Sequence, residues 1–131
     1  MTLAEFFRDV LSKHKRVAIC GAPKTGKSTL SEMATDRKTI HSDDFINLGW
    51  SEASEHIVRT LNDFDGAFCV EGVAVARALR KGLIVDAVVW LPTPHVPLSK
   101  GQETMRKAVK TVFQEWRDAN PDVKVFIHDE E

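Results

Sequence analysis

The sequence predicts an α/β fold, a three-layer α/β/α sandwich built on a five-stranded parallel sheet. Short apolar runs bounded by turn residues alternate with segments whose apolar residues recur at helical spacing. A glycine-rich loop stands between the first such run and the next helical segment, in "AICGAPKTGKSTL", residues 18–30. No internal repeat or low-complexity stretch interrupts the alternation. A chain of 131 residues can bury one modest core, so a single domain over 1–131 is expected.

The elements follow in order. Thr2 is placed to cap a first helix running to about His14, with Leu3, Phe6, Phe7, Val10 and Leu11 on one face. "RVAIC" (16–20) is the first strand. After the glycine loop comes a helix from Lys27 to about Thr35. "KTIHS" (38–42) is a short second strand ending at Asp43 and Asp44. Ser51 or Ser54 caps a helix carrying Ile57, Val58 and Leu61, and "AFCVE" (67–71) is the third strand. "VAVARALRK" (73–81) is a short helix closed by Gly82. "LIVDAVVWL" (83–91) is the fourth strand, stopped by Pro92 and the Pro-rich connection "PTPHVPLSKG". Ser99 with Gln102 forms a capping-box pattern. The helix behind it carries Met105, Ala108, Val109, Val112, Phe113 and Trp116 on one stripe, and Pro121 follows its end. "VKVFIH" (123–128) is a last strand ahead of an acidic tail.

Composition narrows the class. Hydrophobic residues are 43%, charged residues 28% and the formal net charge −1, an ordinary balance for a soluble globular protein. A pI near 6.5 gives no strong nucleic-acid signal. No apolar run approaches a membrane span, and "MTLAEFFRDVLSKHKR" lacks the long apolar region of a secretory signal. A cytoplasmic protein without membrane partners is expected. Cys20 and Cys69 each lie in an apolar run and match no zinc pattern, so both are expected as buried reduced thiols. His14, His56, His95 and His128 show no metal-ligand spacing, and His41 is expected to pack or hydrogen-bond locally. Trp90 and Trp116 are expected in the core.

Ligands of such sheets sit at the carboxyl ends of the strands. Those ends deliver the glycine loop, Asp43/Asp44, Glu71, Pro92/Thr93 and His128/Asp129. Gly21 to Ser28 match G-x-x-x-x-G-K-S in full, with a strand before and a helix after. Gly21 and Gly26 let the backbone curl so that N–H groups point at phosphate oxygens. Gly21, Ala22, Pro23, Lys24, Thr25, Gly26, Lys27, Ser28 and Thr29 are therefore the expected phosphate-binding residues. In that pattern Lys27 reaches the β- and γ-phosphates and Ser28 ligates Mg²⁺. A hydroxyl nucleophile needs a proton acceptor and the metal needs oxygen ligands; Asp43 and Glu71, at adjacent strand ends, supply both. A helix or turn cap is the alternative for Asp43 and Asp44. Arg77 and Arg80 share a face of the short helix after Glu71 and would hold an anionic substrate or stabilise the transferred group, with a solvated face as the alternative. Arg106 borders the apolar stripe of the long helix and ranks above Lys107 as a further cation. Trp50, in "NLGWSE", lies where a substrate ring could stack.

With this loop the chain resembles the P-loop phosphotransferases, and among them the small-molecule and nucleoside/nucleotide kinases. "HSDDF" (41–45) is similar to the Asp-Asp-Phe of the uridine-kinase and nicotinamide-riboside-kinase group, and "CVEGV" (69–73) to the Glu-Gly at its third strand end. The resemblance covers roughly the first 75 residues. It implies a P-loop NTPase fold, ATP or GTP with Mg²⁺ as cofactors, and transfer to a small hydroxyl- or phosphate-bearing acceptor. It further implies that Asp43 is the base near the substrate hydroxyl, or Asp44 if the register is one off. Glu71 would help with substrate hydroxyls or with water on Mg²⁺. Many P-loop ATPases also place an acid where Glu71 stands. An ATPase module working on a protein or nucleic-acid partner is therefore the second reading, and a vestigial nucleotide binder the third. The chain departs from the family in lacking a long lid with paired arginines and in reducing the substrate-binding insert to one helix. Little is expected behind the fifth strand to clamp a base. A small loop, bound substrate or a second subunit, as in a homo-oligomer, would have to close the site.

Overall fold

The computed structural model describes residues 2–128, so the expected Asp129 and acidic tail lie outside the described residues. The elements are α1 (Leu3–Lys13), β1 (Arg16–Gly21), α2 (Lys27–Ser31), β2 (Lys38–His41), a 3₁₀ helix (Ser42–Leu48), α3 (Trp50–Asn62), β3 (Phe68–Glu71), α4 (Val75–Arg80), β4 (Ala87–Leu91), α5 (Lys100–Ala119) and β5 (Lys124–Ile127). The five strands form one sheet in the order β2-β3-β1-β4-β5. Every pairing is parallel.

The central strands alternate between two cores, as a period of two requires. Val17 and Ile19 of β1 face Phe7 and Val10 of α1 and Leu30 of α2. Ala18 and Cys20 face the opposite layer, where Ile57, Leu79 and Phe113 bring in α3, α4 and α5. Burial on both sides explains why β1 and β4 read as continuous apolar runs. Each fully buried large apolar side chain contributes about 1.5–3 kcal/mol. Trp90 and Trp116 are core residues as expected, and the Trp90 and Phe113 rings stack at 4.3 Å.

The connections set the position of the site. The chain leaves β1 through α2 on one face and leaves β3 through α4 on the other. β1 and β3 are neighbours, so a crevice opens between their carboxyl ends. At the amino ends two arginines hold the loops. Arg16 donates to the carbonyls of Leu61, Phe64 and Ile84. Arg37 donates to those of Leu11, His14 and Lys15, satisfying carbonyls that the end of α1 leaves open.

Several boundaries differ from the sequence expectation. α2 ends at Ser31 rather than near Thr35, because Met33 and Ala34 bond back three residues and tighten the chain into a turn. Neither Ser51 nor Ser54 caps α3. The helix begins at Trp50 behind Gly49, whose φ of 93° makes the turn, and Ser54 Oγ donates to the Ser51 carbonyl inside the helix. The fourth strand is only Ala87–Leu91. Asp86 accepts the N–H groups of Lys15 and Arg16 ahead of it, while Leu83 and Val85 enter the core outside the sheet. On α5 the stripe buries Val109, Val112, Phe113 and Trp116 but leaves Ala108 exposed. Both caps expected at Thr2 and Ser99 are present, each as a full capping box. Among the described residues no helix is long and apolar enough to cross a membrane.

Candidate functional site

The glycine loop leaves the sheet at Gly21, where a Cβ would stand 2.5 Å from the Leu91 carbonyl oxygen. Only glycine lets the ends of β1 and β4 approach so closely. Further along, Lys24 has φ 65° and Gly26 φ 89°. Left-handed backbone costs a non-glycine residue about 1–2 kcal/mol, and strain of this kind collects at ligand sites. Thr25 Oγ1 donates to the Ala22 carbonyl at 3.0 Å and holds the curl.

Lys27 opens α2 and is 7% exposed. Its Nζ donates to the Ala22 carbonyl at 2.5 Å and reaches Thr25 Oγ1 at 3.4 Å. Burial pushes the ammonium below its ordinary pKa, while the Glu71 and Asp43 carboxylates pull it back up. The ammonium is thus gripped by loop oxygens while the two carboxylates oppose its desolvation.

Glu71 ends β3 and is 2% exposed. Its Oε2 accepts from Ser28 Oγ at 3.1 Å and meets His41 Nδ1 at 2.7 Å. One carboxylate oxygen therefore ties α2 and the ends of β2 and β3 together. His41 does bond locally, but its partner is this central acid. Gly72 makes the approach feasible. Its φ is 137°, and a Cβ there would overlap Ser42 Oγ. Ser42 is fully buried at the head of the 3₁₀ helix, which carries Asp43 to the rim.

These side chains surround a cleft of about 420 Å³, walled by Pro23 to Thr29 on one side and by Asp43, Trp50, Glu71, Gln102 and Met105 on the other. Lys27, Ser28, Asp43, Glu71 and Trp50 are thus brought together as the sequence suggested. Trp50 belongs to α3 rather than to a loop. Asp44 is exposed and outside the cleft walls. Arg77 also lies outside them. Its guanidinium carbon is 5.7 Å from the centre of the Trp50 ring, and it lines an adjoining pocket with Trp50 and Met105. Arg80 and Arg106 reach neither pocket. Arg80 pairs with Glu115 at 2.9 Å, and Arg106 with Glu103 at 2.8 Å. The surface reading holds for Arg80, and Arg106 is a neighbour of its own helix.

Three further residues contribute beyond the sequence expectation. Gln102, read only as a helix cap, walls the cleft. Met105, read as part of the apolar stripe, forms a wall of both pockets. His95 lies in the Pro-rich connection; its N–H donates to the Lys24 carbonyl at 2.7 Å, and its ring covers Gly26. The Pro-rich connection is therefore docked on the glycine loop. No local pattern announces that contact. Among the described residues no group of three or more His, Cys, Asp or Glu side chains is gathered to hold a metal.

No family model, no curated protein and no solved structure matches this chain.

Proposed function

We propose that the chain is a P-loop NTPase of the phosphotransferase kind, moving the terminal phosphoryl group of ATP or GTP to a small hydroxyl- or phosphate-bearing acceptor with Mg²⁺. The observation that carries this reading is the meeting of Lys27 and Ser28, behind a strained glycine loop, with Glu71 at the crevice between β1 and β3. Backbone with positive φ at Lys24 and Gly26 suits a cradle for anionic oxygens. Lys27, charged and poorly solvated, gains a better partner when a phosphate oxygen replaces the Ala22 carbonyl.

Ser28 Oγ and Glu71, 3.1 Å apart, are a sparse oxygen set. That suits Mg²⁺, which keeps several waters and takes one or two protein oxygens beside phosphate. The ion, when bound, would neutralise charge on the phosphate oxygens. Glu71 is kept in place by His41 and Ser28, so it is oriented before any ligand arrives. Asp43 stands at the rim to take the acceptor's proton as the acceptor oxygen bonds to the γ-phosphorus and the bond to the leaving diphosphate breaks. Arg77 and the Trp50 ring offer an adjoining place for the acceptor, cationic on one side and aromatic on the other.

A screen of nucleosides, nucleotides and sugars with an ADP-release readout tests the reading. One acceptor should raise turnover well above the water background. Binding of ATP with no acceptor effect, and hydrolysis raised only by a protein or nucleic-acid partner, would replace the kinase with an ATPase module.

A further inference from the structure

Resting on that reading, we propose that the base of the nucleotide is held in an apolar recess on the α1/α2 face, between the first turn of α1 and His95. The recess measures about 360 Å³ and is walled by Leu3, Ala4, Leu30, Met33 and His95, together with Gly26 and Thr29 of the glycine loop. Gly26 and Thr29 also wall the phosphate cleft, so the two spaces adjoin at these residues. The pocket beside Arg77 joins the same cleft through different residues, Trp50 and Met105. The cleft is therefore flanked by two unlike spaces.

The direction of a bound triphosphate decides which space takes the base. Lys27 of such a loop faces the β- and γ-phosphates. Asp43, Glu71 and Trp50 wall the phosphate cleft but not the recess, which marks the end away from the recess as the γ end. The α-phosphate and its nucleoside then lead the other way, past Thr29 and into the recess.

The walls have the chemistry for it. Aliphatic side chains, a thioether and an imidazole offer flat apolar contact to an aromatic ring. His95 is fixed by its backbone bond to the Lys24 carbonyl. The first turn of α1 is held by the reciprocal bonds between Thr2 and Glu5, so the wall bearing Leu3 and Ala4 is already formed. Polar side chains in the recess are confined to Thr29 and His95. Shape and stacking, rather than a set of base-edge hydrogen bonds, would recognise the ring. The base would thus be held by the helix ahead of the first strand.

Calorimetry with Mg-ATP, Mg-GTP and Mg-tripolyphosphate on the wild type, Ala4→Trp and His95→Ala tests this. ATP and GTP should bind the wild type within about threefold of each other, since discrimination needs donors and acceptors the recess lacks. Ala4→Trp, which fills the recess, should weaken ATP about tenfold and leave tripolyphosphate within about twofold, the scale of one lost base stack. His95→Ala keeps the backbone bond and should show the same pattern more weakly. Methyl resonances of Ala4 and Met33 should shift with ATP and stay put with tripolyphosphate. Wild-type affinity for ATP in both variants, or equal losses of ATP and tripolyphosphate, would overturn the base subsite while leaving the loop reading in place. Failure of the wild type to bind either ligand would instead remove the nucleotide reading, and this inference with it.

Discussion

Glu71 stands where the ends of β2 and β3 meet α2, with one oxygen shared between Ser28 and His41. If that oxygen set serves Mg²⁺, Glu71→Gln should keep the shape and lose the charge. Nucleotide affinity in the presence of Mg²⁺ should then fall at least about tenfold, with metal-free affinity little changed, as calorimetry with and without the ion would read. The neighbouring Gly72 is a test of packing rather than chemistry. Its φ of 137° and the buried Ser42 hydroxyl leave no room for a Cβ, so Gly72→Ala should cost about 2–4 kcal/mol in urea unfolding. Much of the site at this scale was legible in the sequence. Gly21 to Ser28 form one contiguous pattern, and Asp43 and Glu71 stand directly at strand ends. His41 was visible but not its partner, because the contact depends on the register His41↔Glu71 between β2 and β3.

Among the elements, α4 separates two arginines that spacing alone could not tell apart. Arg77 turns over the Trp50 ring, while Arg80 turns to Glu115 on α5. Periodicity says which residues share a helix face, but not which neighbour each side chain meets. If the proposed acceptor lies beside Arg77, Arg77→Ala should raise its KM about tenfold, the effect of losing a charge-assisted contact. Arg80→Ala should leave kcat and KM within about twofold and change stability by no more than about 1 kcal/mol, as an exposed ion pair does. Steady-state kinetics on both variants checks the contrast. Arg106 turns to its own helix for a simpler reason. Glu103 stands three residues ahead of it, and that pairing was readable from the helix repeat. The Pro-rich connection is the opposite case. Nothing local shows that His95 folds back onto Lys24, because the contact joins residues far apart in sequence.

The whole molecule is two cores divided by one sheet, and the two thiols sit on opposite sides of it. Cys20 belongs to the α3/α4/α5 side and Cys69 to the α1/α2 side, both fully buried. Burial pushes the Cys69 thiol up to about 12 and the Cys20 thiol higher still. A thiol reagent at neutral pH should label neither in the native protein and both on unfolding, with a rate that follows global opening. Alternation of strands and helices made the layered architecture readable. The order β2-β3-β1-β4-β5 was not, since it rests on which apolar strands pair at a distance. That order creates the crevice beside Glu71, and the account depends on what the crevice holds. Calorimetric titration of Mg-ATP into the wild type and Lys27→Ala tests this most directly. Clear binding to the wild type and a loss of at least about tenfold in the variant are expected, as removal of a buried cation from a phosphate requires. Equal binding by the two proteins, or none by the wild type, would contradict it.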